Sequence, residues 1–180
     1  MKLPHVLFLD FDGPLFSGKA LLLPENNDNN SPTLKELDLH PMVSYWKADP
    51  MAIAILHELF KIRPFQLVIS SDWADERLHD FSHIEKLLKI NRLNIPMHKI
   101  WKTPRTGVKN RVLEIAQWLE ENPHSDYLIL DDEDSGGGLL DEKTLHKFNL
   151  KKDKVIIVDF DEGISMRNYY QMKAVVANWD

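Results

Sequence analysis

At 180 residues the chain has the length of one domain with a sizeable core, and 28 acidic against 22 basic residues give a net charge of -6. That balance excludes a protein held to nucleic acid mainly by bulk charge, although a local basic groove stays compatible with it. Cysteine is absent, which removes disulfides, thiolate zinc sites and thiol catalysis. The longest apolar runs are strand-length and no charged-then-apolar leader opens the chain. The expectation is therefore one domain over residues 1–180, cytoplasmic and without a membrane span, with secretion lacking a cleaved signal left open.

In chain order, His5 to Leu9 is an apolar run that ends in Asp10-Phe11-Asp12-Gly13-Pro14. It reads as a buried, parallel strand whose ladder stops where the acids begin. Phe16 to Leu23 suits a short hairpin and Pro24 to Pro32, with its Asn-rich centre, a flexible loop. Asp49 can cap a helix with Pro50 in its first turn; Met51, Ile55, Leu56, Leu59 and Phe60 follow at helical spacing until Arg63-Pro64. Gln66 to Ile69 is a second strand ending in Ser70-Ser71-Asp72-Trp73, and Asp75 to Asn91 has a helical pattern. Met97 to Trp101 reads as a short strand before a Thr-Pro-Arg-Thr-Gly loop. A helix then runs from Val108 to Glu121, with Val112, Ile115, Trp118 and Leu119 on one face. Tyr127 to Leu130 makes a third strand, ending in Asp131-Asp132-Glu133-Asp134. After a Gly136-Gly137-Gly138 loop come a strand from Val155 to Val158 and a helix that Ser165 caps and that runs to about Val176. Strands alternating with helices predict an α/β, doubly wound, Rossmann-like three-layer sandwich with a mostly parallel sheet.

Three strands end in polar groups: Asp10 with Asp12, Ser70 with Ser71, and Asp131 with Asp132. A parallel sheet gathers such ends at one edge, where α/β folds place their chemistry. Lys109, at the start of the helix leading into the third strand, can reach that edge from the side. Carboxylates, a hydroxyl and a cation are the parts that phosphoryl transfer needs. The carboxylates hold Mg2+, the hydroxyl donates to phosphoryl oxygens, and the cation meets the developing negative charge. An aspartate can also be the nucleophile, with a second one as acid and base.

In this order the residues resemble the haloacid dehalogenase (HAD) superfamily. Its four motifs are a strand-end Asp-x-Asp-Gly, a strand-end Ser or Thr, a helix-borne Lys, and a strand-end acidic pair. The resemblance spans residues 5 to 135. It implies Asp10 as nucleophile and metal ligand, and Asp12 as acid-base whose backbone carbonyl also meets Mg2+. It further implies Ser71, or Ser70 if the strand ends one residue earlier, on the phosphoryl group, Lys109 neutralising its charge, and Asp131 and Asp132 completing and orienting the metal shell. Asp12 at the second position after the nucleophile is the mark of the superfamily's phosphatases and phosphotransferases. Ser-Ser-Asp-Trp with Leu-Asp-Asp is also similar to a small subgroup found in RNA-repair proteins. Ala74 stands where that subgroup has an arginine, and Pro14 where Thr or Val is commoner. The gaps between motifs leave no room for a large cap, only for a modest lid over about 16–48. An open site suits bulky phosphorylated substrates such as nucleic-acid ends or phosphoproteins, or a small ester covered by a partner.

The implied activity is a Mg2+-dependent phosphomonoester hydrolase, with a nucleotide or nucleic-acid end among its candidate substrates. A phosphoprotein phosphatase and a noncatalytic phosphate- or partner-binding protein on the same scaffold are the alternatives; oligomeric state is not encoded legibly. A receiver domain also clusters acids, a hydroxyl and a lysine, but there the acidic pair follows the first strand and the lysine comes last. Each residue has a plainer reading as well. The serines suit strand termination, Lys109 a solvated helix start with Lys102 as its rival, Asp134 a loop, and Trp73 burial rather than stacking on a base. Asp159-Phe160-Asp161-Glu162-Gly163 reads as a strand end and turn at the rim, and Arg105 with Lys102 as either a second phosphate site or solvated charge.

Overall fold

The computed structural model describes residues 2–27, 46–74, 80–106, 110–132 and 138–179. Five strands, β1 (Val6–Leu9), β2 (Gln66–Ile69), β3 (Met97–Lys102), β4 (Tyr127–Asp131) and β5 (Val155–Ile157), form one all-parallel sheet in the order β3-β2-β1-β4-β5. The chain builds outward from β1 to one edge and then returns to build the other. The reversal leaves a crevice between the C-terminal ends of β1 and β4, the place where open α/β sheets bind ligands.

The helices are α1 (Gly18–Leu21), α2 (Pro24–Asn27), α3 (Pro50–Ile62), α4 (Phe81–Ile90), α5 (Arg111–Glu121), α6 (Glu142–Lys147) and α7 (Met166–Ala177). Alternate strand residues feed two cores. Leu7, Leu9, Leu67, Ile69, Leu128 and Leu130 pack with Leu56 and Leu59 of α3, Ile84 and Leu87 of α4, and Met172 and Val176 of α7. Val6, Phe8, Val68 and Ile129 pack with Val112, Ile115 and Trp118 of α5 and Leu145 of α6. Both faces are covered, so the central strands are apolar throughout rather than alternating.

The caps of α3 and α7 form as expected: Met51 N–H donates to Asp49 Oδ1, and Ser165 closes a capping box with Asn168. Two expectations are corrected. Phe16 to Leu23 is not a hairpin, because Ser17 Oγ accepts from Ala20 N–H and starts α1, while Pro24 opens α2. The helix expected from Asp75 begins at Phe81, where Asp80 caps it; residues 75–79 lie outside the described residues. Helix α6, capped by Asp141, was not foreseen, since a helix of this length shows too little periodicity to register. Of the segment 16–48, residues 28–45 lie outside the described residues. So do Glu133, Asp134, Gly136, Gly137 and Lys109.

Candidate active site at the carboxyl ends of β1 and β4

Asp10 continues the β1 ladder by one bond, its N–H donating to Leu130 O at 3.0 Å, and Asp131 closes β4. Adjacent parallel strands therefore end in facing carboxylates. Ligand oxygens of Asp10, Asp131 and Asp132 all lie within 4.8 Å of one another. Gly13 permits this convergence. Its φ of +74° favours glycine, and a Cβ there would stand 2.6 Å from Asp132 Cβ, so the turn after β1 could not come this close to the end of β4.

Arg111, the first residue of α5, is buried beside the acids. Its Nη2 lies 3.7 Å from Asp10 Oδ2 and its Nε 3.3 Å from Asp131 Oδ2. Burial works against the guanidinium's charge, but the surrounding Asp10, Asp131 and Glu114 outweigh that and hold its pKa above the usual value. Sequence reasoning missed this residue and looked to Lys109. A signal was present: Arg111, Glu114, Ile115 and Trp118 share one helical face and are all buried. Glu114 accepts from Thr106 N–H, tying the loop after β3 to the same helix.

Asp10 is 4% exposed. Its Oδ1 accepts from Phe11 N–H at 2.7 Å, and the Ser71 hydroxyl hydrogen-bonds the carboxylate as well. Burial, reinforced by the neighbouring charge of Asp131, pushes its pKa well above the ordinary range, with Arg111 and these hydrogen bonds opposing. Asp12 takes a different direction. Its carboxylate accepts from Trp73 Nε1–H at 3.0 Å, and burial raises its pKa against that bond, Asp132 and Asp72 adding to the rise. Among the described residues, the carboxylates of Asp10, Asp131 and Asp132 form the cation-compatible cluster, of which the Asp12 carboxylate is not a member.

Both serines are buried at the end of β2. Ser71 Oγ also accepts from Trp73 N–H at 3.3 Å, whereas Ser70 Oγ has no hydrogen-bond partner among the described residues. Lys102 donates to Ala74 O at 3.3 Å and lies over the Trp101 ring. Arg105 pairs with Asp72 at 2.6 Å and donates to Ser71 O, fastening the turn after β2. The Asp159 to Gly163 segment is a turn, closed by an Asp159–Gly163 bridge.

Residues 6–169 match the family described as the HAD domain in Swiss Army Knife RNA repair proteins. The chain belongs to that family. Two solved structures are similar over nearly the full length. One is the HAD domain of effector protein Lem4 from Legionella pneumophila: 20% identity, 99% of this chain and 97% of that one covered, TM-score 0.56. The other is an inactive mutant of that domain: 19% identity, 99% and 96% covered, TM-score 0.55. At such identity the likeness concerns the fold. No curated protein matches the sequence. Membership supports a HAD-type phosphotransferase or hydrolase in general terms, acting on a phosphorylated substrate. No helix among the described residues of this HAD domain is long and apolar enough to cross a membrane.

Proposed function

We propose that this HAD domain is a phosphomonoester hydrolase that works through an aspartyl-phosphate on Asp10. The observation that carries the reading is the meeting of buried Asp10 and Asp131 with half-buried Asp132 beside Arg111 at the switch point of the sheet. Among the described residues, three carboxylates, two of them buried, stand against one guanidinium, an excess of negative charge that a divalent cation would offset. Mg2+ fits that donor set. Held by Asp10, Asp131 and Asp132, with the Asp12 carbonyl as a further oxygen, it would neutralise phosphoryl oxygens during transfer.

A carboxylate oxygen of Asp10 attacks phosphorus while the P–O bond to the leaving group breaks, and Asp12 gives its proton to the departing oxygen. In the second half Asp12 takes a proton from water, the water oxygen bonds to phosphorus, and the acyl-phosphate bond breaks to release inorganic phosphate and restore Asp10. The raised pKa of Asp12 suits a carboxyl that must carry a proton part of the time. Ser71 donates to the phosphoryl group, with Ser70 as the alternative, and Lys109 binds its charge. Arg111 is the fixed counter-ion that keeps Asp10 and Asp131 in place. The family's description supports phosphorylated RNA ends as the first class to screen, ahead of nucleotides and phosphoproteins.

The test is hydrolysis of p-nitrophenyl phosphate with and without Mg2+, comparing wild type with Asp10→Asn. Activity should need Mg2+ and fall at least about a thousandfold in the variant, as losing a nucleophile does elsewhere. Wild-type rates from Asp10→Asn would remove the proposed intermediate.

A further inference from the structure

Trp73 is buried and belongs to a three-residue turn, Asp72–Ala74, after β2. Its ring stacks on Phe16 at 5.1 Å and 6°, and meets Phe11 and Trp46 edge-on at 5.7 and 5.4 Å. Its N–H edge is thereby aimed at one atom, Asp12 Oδ2, at 3.0 Å. An indole nitrogen only donates; it can neither accept a proton nor exchange one with a carboxyl. A carboxyl oxygen facing such a donor is kept as the acceptor oxygen, and the proton is carried on the other.

We infer that Trp73 is a positioning residue for the acid-base chemistry: its indole N–H holds Asp12 Oδ2 as acceptor, so that the transferable proton resides on Oδ1. This rests on the role proposed for Asp12. The aromatic packing supplies the rigidity and the single N–H supplies the direction, and the two can be separated by substitution. Trp73→Phe keeps an aromatic ring between Phe16, Phe11 and Trp46 and removes the donor together with part of the bicyclic ring. Phe16→Leu loosens the packing and leaves the donor in place.

The bond is read first, without turnover. The indole 15N–1H resonance that disappears in Trp73→Phe is that of Trp73, and it should move upfield in Asp12→Ala. A resonance that stays put overturns the inference. The role is then read as kcat/KM on two esters, p-nitrophenyl phosphate, whose leaving group needs little protonation, and glycerol phosphate, whose alkoxide needs it. Trp73→Phe should lose about tenfold or more on glycerol phosphate and less than about threefold on the aryl ester, a fraction of what a general acid contributes in full. Phe16→Leu should lower the melting temperature and shift both esters alike. Equal losses on both esters in Trp73→Phe would make Trp73 merely structural and overturn the inference. If Asp12→Asn also lacks the leaving-group dependence, or wild type turns over neither ester, the acid-base reading of Asp12 fails and the positioning role falls with it. If Asp12→Asn shows the dependence and Trp73→Phe does not, only the role of Trp73 falls.

Discussion

The same carboxylate that makes Asp10 a candidate nucleophile makes it a cost to the fold. Its pKa is raised above the ordinary 3.8 by burial and by Asp131. Between the unfolded and folded values the native state therefore holds a proton that the unfolded chain has released, and stability falls as pH rises through that window. In EDTA, the melting temperature of wild type should drop as pH climbs from about 4 upward. Asp10→Asn should flatten the slope and melt higher at neutral pH while inactive. Asp12 and Glu114, also raised by burial, leave some slope behind. A variant that melts below wild type at neutral pH would mean that the pairing with Arg111 outweighs the cost of burying the charge.

Helix α5 turns a residue of the sequence into a residue of the site. Its N-cap, Asn110, accepts from Leu113 N–H at 3.0 Å, and the next residue is Arg111. Capping fixes the first turn, and the first turn fixes where the guanidinium emerges. Asn110→Ala should cost about 1 kcal/mol in denaturant unfolding. Because the guanidinium is aimed by that turn, the same variant should also reduce kcat of the proposed phosphate-ester hydrolysis. Asn110→Asp, which restores an acceptor and adds a charge favourable at a helix N-terminus, should recover stability. The N-cap of α7 was readable at Ser165, because a cap acts over three residues and needs no tertiary partner; that Asn168 closes the box is seen only in the structure.

Across the whole molecule, the site depends on the two cores holding β1 and β4 in register: Leu9 is opposite Leu130, and Asp10 follows within the ladder. The C-terminal segment completes the larger core. Trp179 is buried, stacks on His5 at 4.9 Å and meets Phe65 edge-on, so residues from both ends of the chain pack under the sheet, far along the strands from the acids. Trp179→Ala should destabilise by about 3–5 kcal/mol, the usual cost of removing a buried large aromatic. Measured at a temperature where the variant is folded, kcat should remain near wild type; a selective loss of kcat would tie this end of the sheet to the site.

The sequence by itself determined the strands, their order of appearance and the acids at their ends, because apolar runs, caps and strand-end chemistry are written within a few residues of one another. Asp10, Ser71 and Asp131 are legible for that reason, and so is the family. Only the tertiary structure decided that Arg111 reaches Asp10, that the Asp12 carboxylate accepts from Trp73, and that Gly13 is needed to clear Asp132. Those contacts join residues tens of positions apart. They exist because the sheet order makes β1 the neighbour of both β2 and β4, and no local pattern records which distant side chains that order will bring within 3 or 4 Å.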